Sequence, residues 1–351
     1  MEPTRTRWLT SSLPGTGGSF TTSVEDFAVE ELPLYEACGD GEHLYVRFEK
    51  RGLSTRDVVR RAIERLRLPE PEVGYAGLKD KHARTVQTIS LPRVSEADAK
   101  AIEGDGVVIL SAVRHKNKLR VGHLAGNRFE MVIRPEPGAA FDEAAAGRAR
   151  AVLELLASAG FPNFFGAQRF GIDGGNVDAG REALRRGGRG MPHWKAKFAI
   201  SALQSALFND VLLRRMESGQ FSTVLAGDVL QKVGSGGIFP CAEPAVDQLR
   251  FDAFEISVTG PIFGAEMRAA EGVPGEHEAA VLAAGGLSVE DFKKAHKLAP
   301  GTRRQLRAPV KDASVRLDSG NLVVSFQLPS GSYATVLIDE LVKPARPLEE
   351  E

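Results

Sequence analysis

The sequence predicts an α+β protein of two domains, on three observations. A chain of 351 residues is long for one typical domain and suits two. Segments such as 43–49 alternate apolar and polar side chains, the period of a half-buried strand. Segments such as 55–66 and 198–216 carry an apolar stripe at helical spacing. Apolar content of 42% and charged content of 26% are those of a soluble globular protein. No apolar run approaches the length that crosses a membrane, and Met1–Arg7 lead into no apolar core of a signal peptide. Cys38 and Cys241 match no zinc or redox spacing, so a reduced, cytoplasmic setting is expected. The net charge of −1 argues against an avid, non-specific nucleic-acid binder and leaves room for a local basic cleft.

In chain order, residues 1–19 are polar and rich in Gly and Pro, and are expected to be ordered only in part. Glu25 to Glu31 alternates like a short strand ending in acid, with Phe27 placed for core burial. From His43 to Glu49, Leu44, Val46 and Phe48 face one way and Tyr45, Arg47 and Glu49 the other. Ser54-Thr55-Arg56-Asp57 opens a helix in capping-box style, with Val58, Val59, Ala62, Ile63 and Leu66 on its apolar face and five arginines elsewhere. Then comes Gly74-Tyr75-Ala76-Gly77-Leu78-Lys79-Asp80-Lys81-His82-Ala83-Arg84-Thr85-Val86-Gln87, around which the chain is organised. Gly77 can place Asp80 on a tight bend. The β-branched run from Arg84 to Ser90 reads as a strand, so this carboxylate sits at a strand mouth among cations that attract phosphates. Such a carboxylate can be a nucleophile acting on a nucleic acid, although most Lys-Asp-Lys turns only cap or solvate a loop.

Arg114 to Arg120 packs four formal positive charges and a histidine into seven residues. Gly126-Asn127-Arg128-Phe129 then enters a strand, and basic side chains beside an aromatic suit phosphate contact with base stacking. An alanine-rich helix over 142–158 is stopped by Gly160 and Pro162, which places a domain boundary there. Pro162-Asn163-Phe164-Phe165-Gly166-Ala167-Gln168-Arg169-Phe170-Gly171 interleaves aromatics with Gln168 and Arg169, a composition suited to RNA contact or to plugging a domain seam. Arg181 to Gly190 is a helix end and a basic loop, and Phe198 to Met216 a helix in which Gln204 and Asn209 serve packing. Residues 227–273 read as short strands and turns, with Gly260 to Gly264 a turn plugged by an aromatic; 275–297 reads as largely helical with a fresh start at Ser288. Gly301 to Arg307 is a basic return crossing. Leu322 to Leu328 is a strand that continues through Ser332, an N-cap, into a helix; 344–351 is a charged tail.

The segment Ala76-Gly77-Leu78-Lys79-Asp80-Lys81-His82-Ala83 resembles the signature of the TruD family of tRNA pseudouridine synthases. The runs at Glu25–Glu31, His115–Phe129, Pro162–Gly171, Ser201–Asn209 and Phe326–Thr335 are similar to further segments of that family, so the resemblance spans nearly the whole chain. It implies Asp80 as the catalytic residue. It also implies a substrate pocket shaped by Phe27 and Tyr333, with Asn127 at the site and Phe129 stacked on the target base; Lys79, Lys81, Gln168 and Arg169 are expected as further substrate contacts. The implied fold is a pseudouridine-synthase-like catalytic domain of residues 1–158 with 306–351, built on a mixed, mainly antiparallel sheet, and an inserted α+β domain of residues 159–305 across a cleft. The implied reaction turns a tRNA uridine into pseudouridine, at position 13 of the D-arm, on a flipped-out base, with no cofactor and no metal. A monomer in the cytoplasm with tRNA as partner is expected. One departure stands out: the family often carries a lysine where this chain has Thr21, so a flanking lysine, Lys81 rather than Lys79, is expected to supply the cation beside Asp80. Two other classes remain: a non-catalytic RNA-binding or RNA-chaperone protein with a degenerate site, and a base-excising glycosidase. The intact Lys79-Asp80-Lys81 favours an enzyme over the first, and the lack of a second carboxylate beside Asp80 argues against the second.

Overall fold

Seven strands dictate the architecture of one part of the computed structural model, which describes residues 8–21, 23–295 and 297–343. The Met1–Arg7 segment and the 344–351 tail therefore lie outside the described residues. The chain divides into two compact units. One contains Pro14–Glu154, Val310–Gly331 and the chain from Leu341; the other contains the chain up to Leu13, Leu155–Pro309 and Ser332–Glu340.

The first unit is built on β1 (Phe27–Pro33), β2 (His43–Lys50), β3 (Arg84–Pro92), β4 (Val107–His115), β5 (Leu124–Arg134), β6 (Lys311–Asp318) and β7 (Asn321–Pro329). They lie in the order β6-β7-β5-β1-β3-β2-β4. The pairing of β1 with β3 is parallel, and the other pairs along this path are antiparallel, so the expected mixed, mainly antiparallel sheet is what the chain forms. Register decides which side chains meet. Phe326, Phe129, Val29, Thr85 and Lys50 are successive partners across five strands. Because side chains alternate along a strand, Asn127, Glu31 and Gln87 fall on the same face, one step along.

The helix Thr55–Leu66 covers the other end of that face. Its capping box is formed, Ser54 with Asp57, and Val58, Val59 and Ala62 are buried against Leu44, Val46, Phe48, Ile89 and Leu91. Two of its four arginines are structural: Arg61 donates to the carbonyls of Gly104 and Asp105, and Arg65 to those of Ala101 and Glu103.

The second unit centres on the long helix His193–Glu217, which starts five residues earlier than its apolar stripe suggests, with Pro192 at the N-cap. It packs with Gly175–Arg185 and Gly272–Ala284 around Leu203, Leu207, Phe263 and Phe292. A four-stranded antiparallel sheet runs Ile238–Pro240, Val229–Lys232, Ile256–Ile262, Thr302–Gln305. The expected turn over 260–264 is corrected here: Gly260, Pro261 and Ile262 end a strand and pair with Arg304, Arg303 and Thr302. Pro261 is tolerated because the strand on its other side pairs only with residues 256–258, so the missing N–H breaks no ladder bond.

The basic crossing at 303–307 buries two of its arginines, Arg303 and Arg307, in the core. The Arg303 guanidinium reaches the two Glu278 oxygens at 2.7 and 3.0 Å in a buried pair. Arg307 donates to the Phe251 carbonyl and lies over the Phe251 and Phe254 rings at 3.3 and 4.2 Å. Burial pushes the Glu278 carboxyl up against the opposing effect of Arg303. Cutting such a pair strands a charge in the core, at a cost of about 3–5 kcal/mol. Arg303→Met is therefore expected to lower the denaturant midpoint of this unit strongly, and Arg303→Met with Glu278→Leu to recover most of it; equilibrium unfolding of the three proteins checks this.

Candidate active site

The Asp80 turn is fastened from below by the buried polar face of the sheet. Lys79 donates its backbone N–H to Thr55 Oγ1 at 2.8 Å, and Thr55 in turn donates to Gln87 Oε1 at 2.9 Å. The Lys79 ammonium turns inward, donates to Asn127 Oδ1 and sits 3.3 Å from Glu31 Oε1. That second contact is an ion pair by distance without hydrogen-bond alignment, since Glu31 Oε1 has no hydrogen-bond partner. Lys50, fully buried, donates to the Asp80 carbonyl at 2.6 Å and to Thr85 Oγ1 at 3.3 Å. Above these anchors the Asp80 side chain is exposed, and its Oδ1 accepts the His82 N–H at 3.0 Å. The bend does not use a left-handed glycine: Gly77 has no positive φ, and a Cβ there would meet Glu31 Oε1 at 3.4 Å, an ordinary contact.

Electrostatics follow from burial. Desolvation pushes the Glu31 carboxyl up and the Lys79 ammonium down, and each holds the other toward its charged form. Desolvation pulls Lys50 down to about 8, while the Asp80 charge acts in the opposite direction.

The structure gathers Lys79, Asp80, Asn127, Phe27 and Phe129 in the first unit. Phe27 stacks on Phe129 with centroids 6.2 Å apart and planes 4° apart, and Phe129 tilts against Phe326 at 5.5 Å. Phe129 is only 6% exposed, so Phe27, half-buried, presents the outer ring of this stack. Lys81 is exposed at the turn and takes no part in the buried network. Thr21, where the family often has lysine, donates to Asp26 at 3.5 Å; Asp26 is itself held by Arg134 at 2.6 and 2.8 Å.

Gln168, Arg169 and Tyr333 belong to the second unit. There Asn209 clamps the Phe165 backbone with bonds of 2.9 and 3.0 Å, and Gly166 lets Tyr333 approach, since a Cβ would meet its ring at 2.9 Å. Phe165 lies edge-on to Tyr333 at 5.8 Å, with the Arg304 and Arg169 guanidinium groups over its ring at 4.2 and 5.9 Å. Arg169 also lies 5.8 Å from the exposed Phe198 ring and donates to Ser201 Oγ at 2.9 Å. Asn163 Oδ1 collects Arg304 at 2.7 Å and Ser332 at 3.2 Å. Gln168 is exposed. Interleaved aromatic and guanidinium planes of this kind suit stacked bases and phosphates.

Sequence reasoning missed Lys50, Glu31, Gln87 and Thr55 as parts of the site. A signal existed for Lys50: extending the alternation of Leu44, Val46 and Phe48 places a lysine on the buried face. Among the described residues, no group of three His, Cys, Asp or Glu side chains could hold a metal ion, and no helix is long and apolar enough to cross a membrane.

Comparison with known proteins places this geometry in a family. The profile of "tRNA pseudouridine synthase D (TruD)" matches residues 4–187 and 181–341. The tRNA pseudouridine synthase D of Anaeromyxobacter sp. (strain Fw109-5) is 45% identical, over 97% of each chain. That of Thermus thermophilus is 43% identical, over 97% of this chain and 93% of its own. The crystal structure of the putative tRNA pseudouridine synthase D from Methanosarcina mazei superposes with a TM-score of 0.78 at 25% identity, covering 96% of each chain. The chain belongs to the tRNA pseudouridine synthase D (TruD) family.

Proposed function

We propose that this protein isomerises uridine to pseudouridine in tRNA, at position 13 of the D-arm, with Asp80 as the nucleophile. The observation that carries the reading is an exposed carboxylate on a turn held by Thr55, Lys50 and the Lys79–Asn127 bond. The target uracil leaves its stack. Its C1′–N1 bond breaks, the ring turns, a C1′–C5 bond forms, the proton on C5 departs and N1 gains one, so that atoms balance without a co-reactant. A carboxylate that adds to the base or to the ribose carbon keeps the fragments together while the ring turns. Phe27, backed by Phe129, offers an aromatic face to the ring, and the Asn127 amide, oriented by Lys79, offers polar contact to its edge. We assign RNA contact in the second unit to Arg169, Phe165, Phe198 and Tyr333, with Gln168 beside them.

Asp80→Asn is expected to abolish pseudouridine formation while tRNA affinity stays within a few-fold, measured by nucleoside analysis and equilibrium binding. Residual turnover near wild type contradicts the assignment, and release of free uracil by the wild-type protein indicates a glycosidase instead.

The exposed cations define the electrostatic reading. Lys116 and Arg120 are exposed in the first unit, and Arg185 and Arg189 in the second, whereas Arg303 and Arg307 are buried. Binding that neutralises several phosphates weakens steeply with salt, by roughly a hundred-fold or more between about 50 and 200 mM. Charge reversal at Lys116, Arg120, Arg185 and Arg189 together is expected to weaken binding and flatten that slope. An unchanged slope shows these side chains to be solvated faces only.

A further inference from the structure

Lys50 is the most unusual charged side chain of the first unit. It ends β2 on the face that Leu44, Val46 and Phe48 fill with core, and it is fully buried. Among the described residues it has no carboxylate within ion-pair distance, and its hydrogen bonds go to Thr85 Oγ1 and to the backbone carbonyl of Asp80. A buried lysine without an ion pair is costly to keep. The carbonyl that it holds is that of the proposed nucleophile, while Lys79 is engaged by Glu31 and Asn127 and Lys81 is exposed.

We propose that Lys50 is a positioning residue for Asp80: its ammonium locks the turn through the Asp80 carbonyl and is the buried cation against which the Asp80 carboxylate works. The proposal rests on the function stated above. It differs from the sequence expectation, which gave this role to Lys81. The charged groups that act on Lys50 are Asp80, Asp57 and Glu31, which favour its charge, and Lys79, which opposes it. On its own strand, Glu49 points to the opposite face, where it meets Arg84 and Arg51. Thr85 and the aliphatic Val107 are its strand partners.

The pH dependence has two opposite signs. Burial pulls Lys50 down to about 8 from the ordinary 10.5. Between these values the unfolded chain holds a proton that the folded protein has released, so the Lys50 contribution to stability rises with pH. Over the same range the ammonium is lost, and activity falls. The test uses the full chain with tRNA transcripts in single-turnover assays from about pH 6 to 10, with unfolding measured in parallel. Wild type is expected to lose activity with a midpoint near 8. Lys50→Arg, whose guanidinium stays charged, is expected to move that limb upward. Lys50→Met is expected to turn over about tenfold or more slowly, to bind tRNA normally and to lose the limb. Its stability relative to wild type is expected to fall as pH rises from about 8 to 10.

If wild type forms no pseudouridine, the function is wrong. If wild type is active but the limb keeps its midpoint in Lys50→Arg, the limb belongs to uracil or another group and the proposal is overturned. A wild-type rate and profile in Lys50→Met overturn it equally. Should Lys50→Met fail to fold, the arginine variant alone decides between these outcomes.

Discussion

The site depends on one constraint: a turn bearing an exposed carboxylate must be pinned over a sheet face that is polar where a core is usually apolar. Lys79 is the pin. Its ammonium is buried between Glu31 and Asn127, on neighbouring strands, and its N–H is tied to Thr55 at the start of the covering helix. Burial alone drives Lys79 and Glu31 toward neutrality, and their mutual field opposes it. A pair of this kind adds little net stability, but it fixes a geometry, because any other arrangement leaves a charge buried without a partner. The sheet register makes this possible by setting Glu31 and Asn127 opposite each other, one step from the row that ends in Thr85 and Lys50.

The second unit solves a related problem with aromatic planes. Phe165 is held by Asn209, covered by Arg304 and Arg169 and met at its edge by Tyr333. Arginine serves both ends of this scheme. Arg303 and Arg307 are spent on the core, whereas Arg169 keeps a guanidinium near the surface beside an exposed ring. Two guanidinium groups over one phenylalanine ring make favourable cation–π contacts.

Much of this was legible in the sequence, and the failures have physical causes. The alternation over 43–49 located β2 and its inward face, and the capping box located the covering helix to the residue. The Asp80 bend was legible, but its backbone conformation was not, because a glycine in a sequence does not show which φ it adopts. Glu31 read as the acidic end of a strand, since its partner Lys79 lies far along the chain on a different element. The run at 303–307 read as a basic crossing, and its burial was not legible because its neighbours Glu278, Phe251 and Phe254 are distant in sequence. Lys50 is the exception: continuing the strand period by one step places it inside.

That Lys79 acts as a structural pin for the chemistry, and not as a phosphate contact, is tested most directly by comparing Lys79→Met with wild type in single-turnover pseudouridine formation at saturating protein. A rate lower by about tenfold or more is expected, with tRNA affinity nearly unchanged. A weakened affinity with a wild-type rate at saturation would contradict the role of Lys79 as a pin.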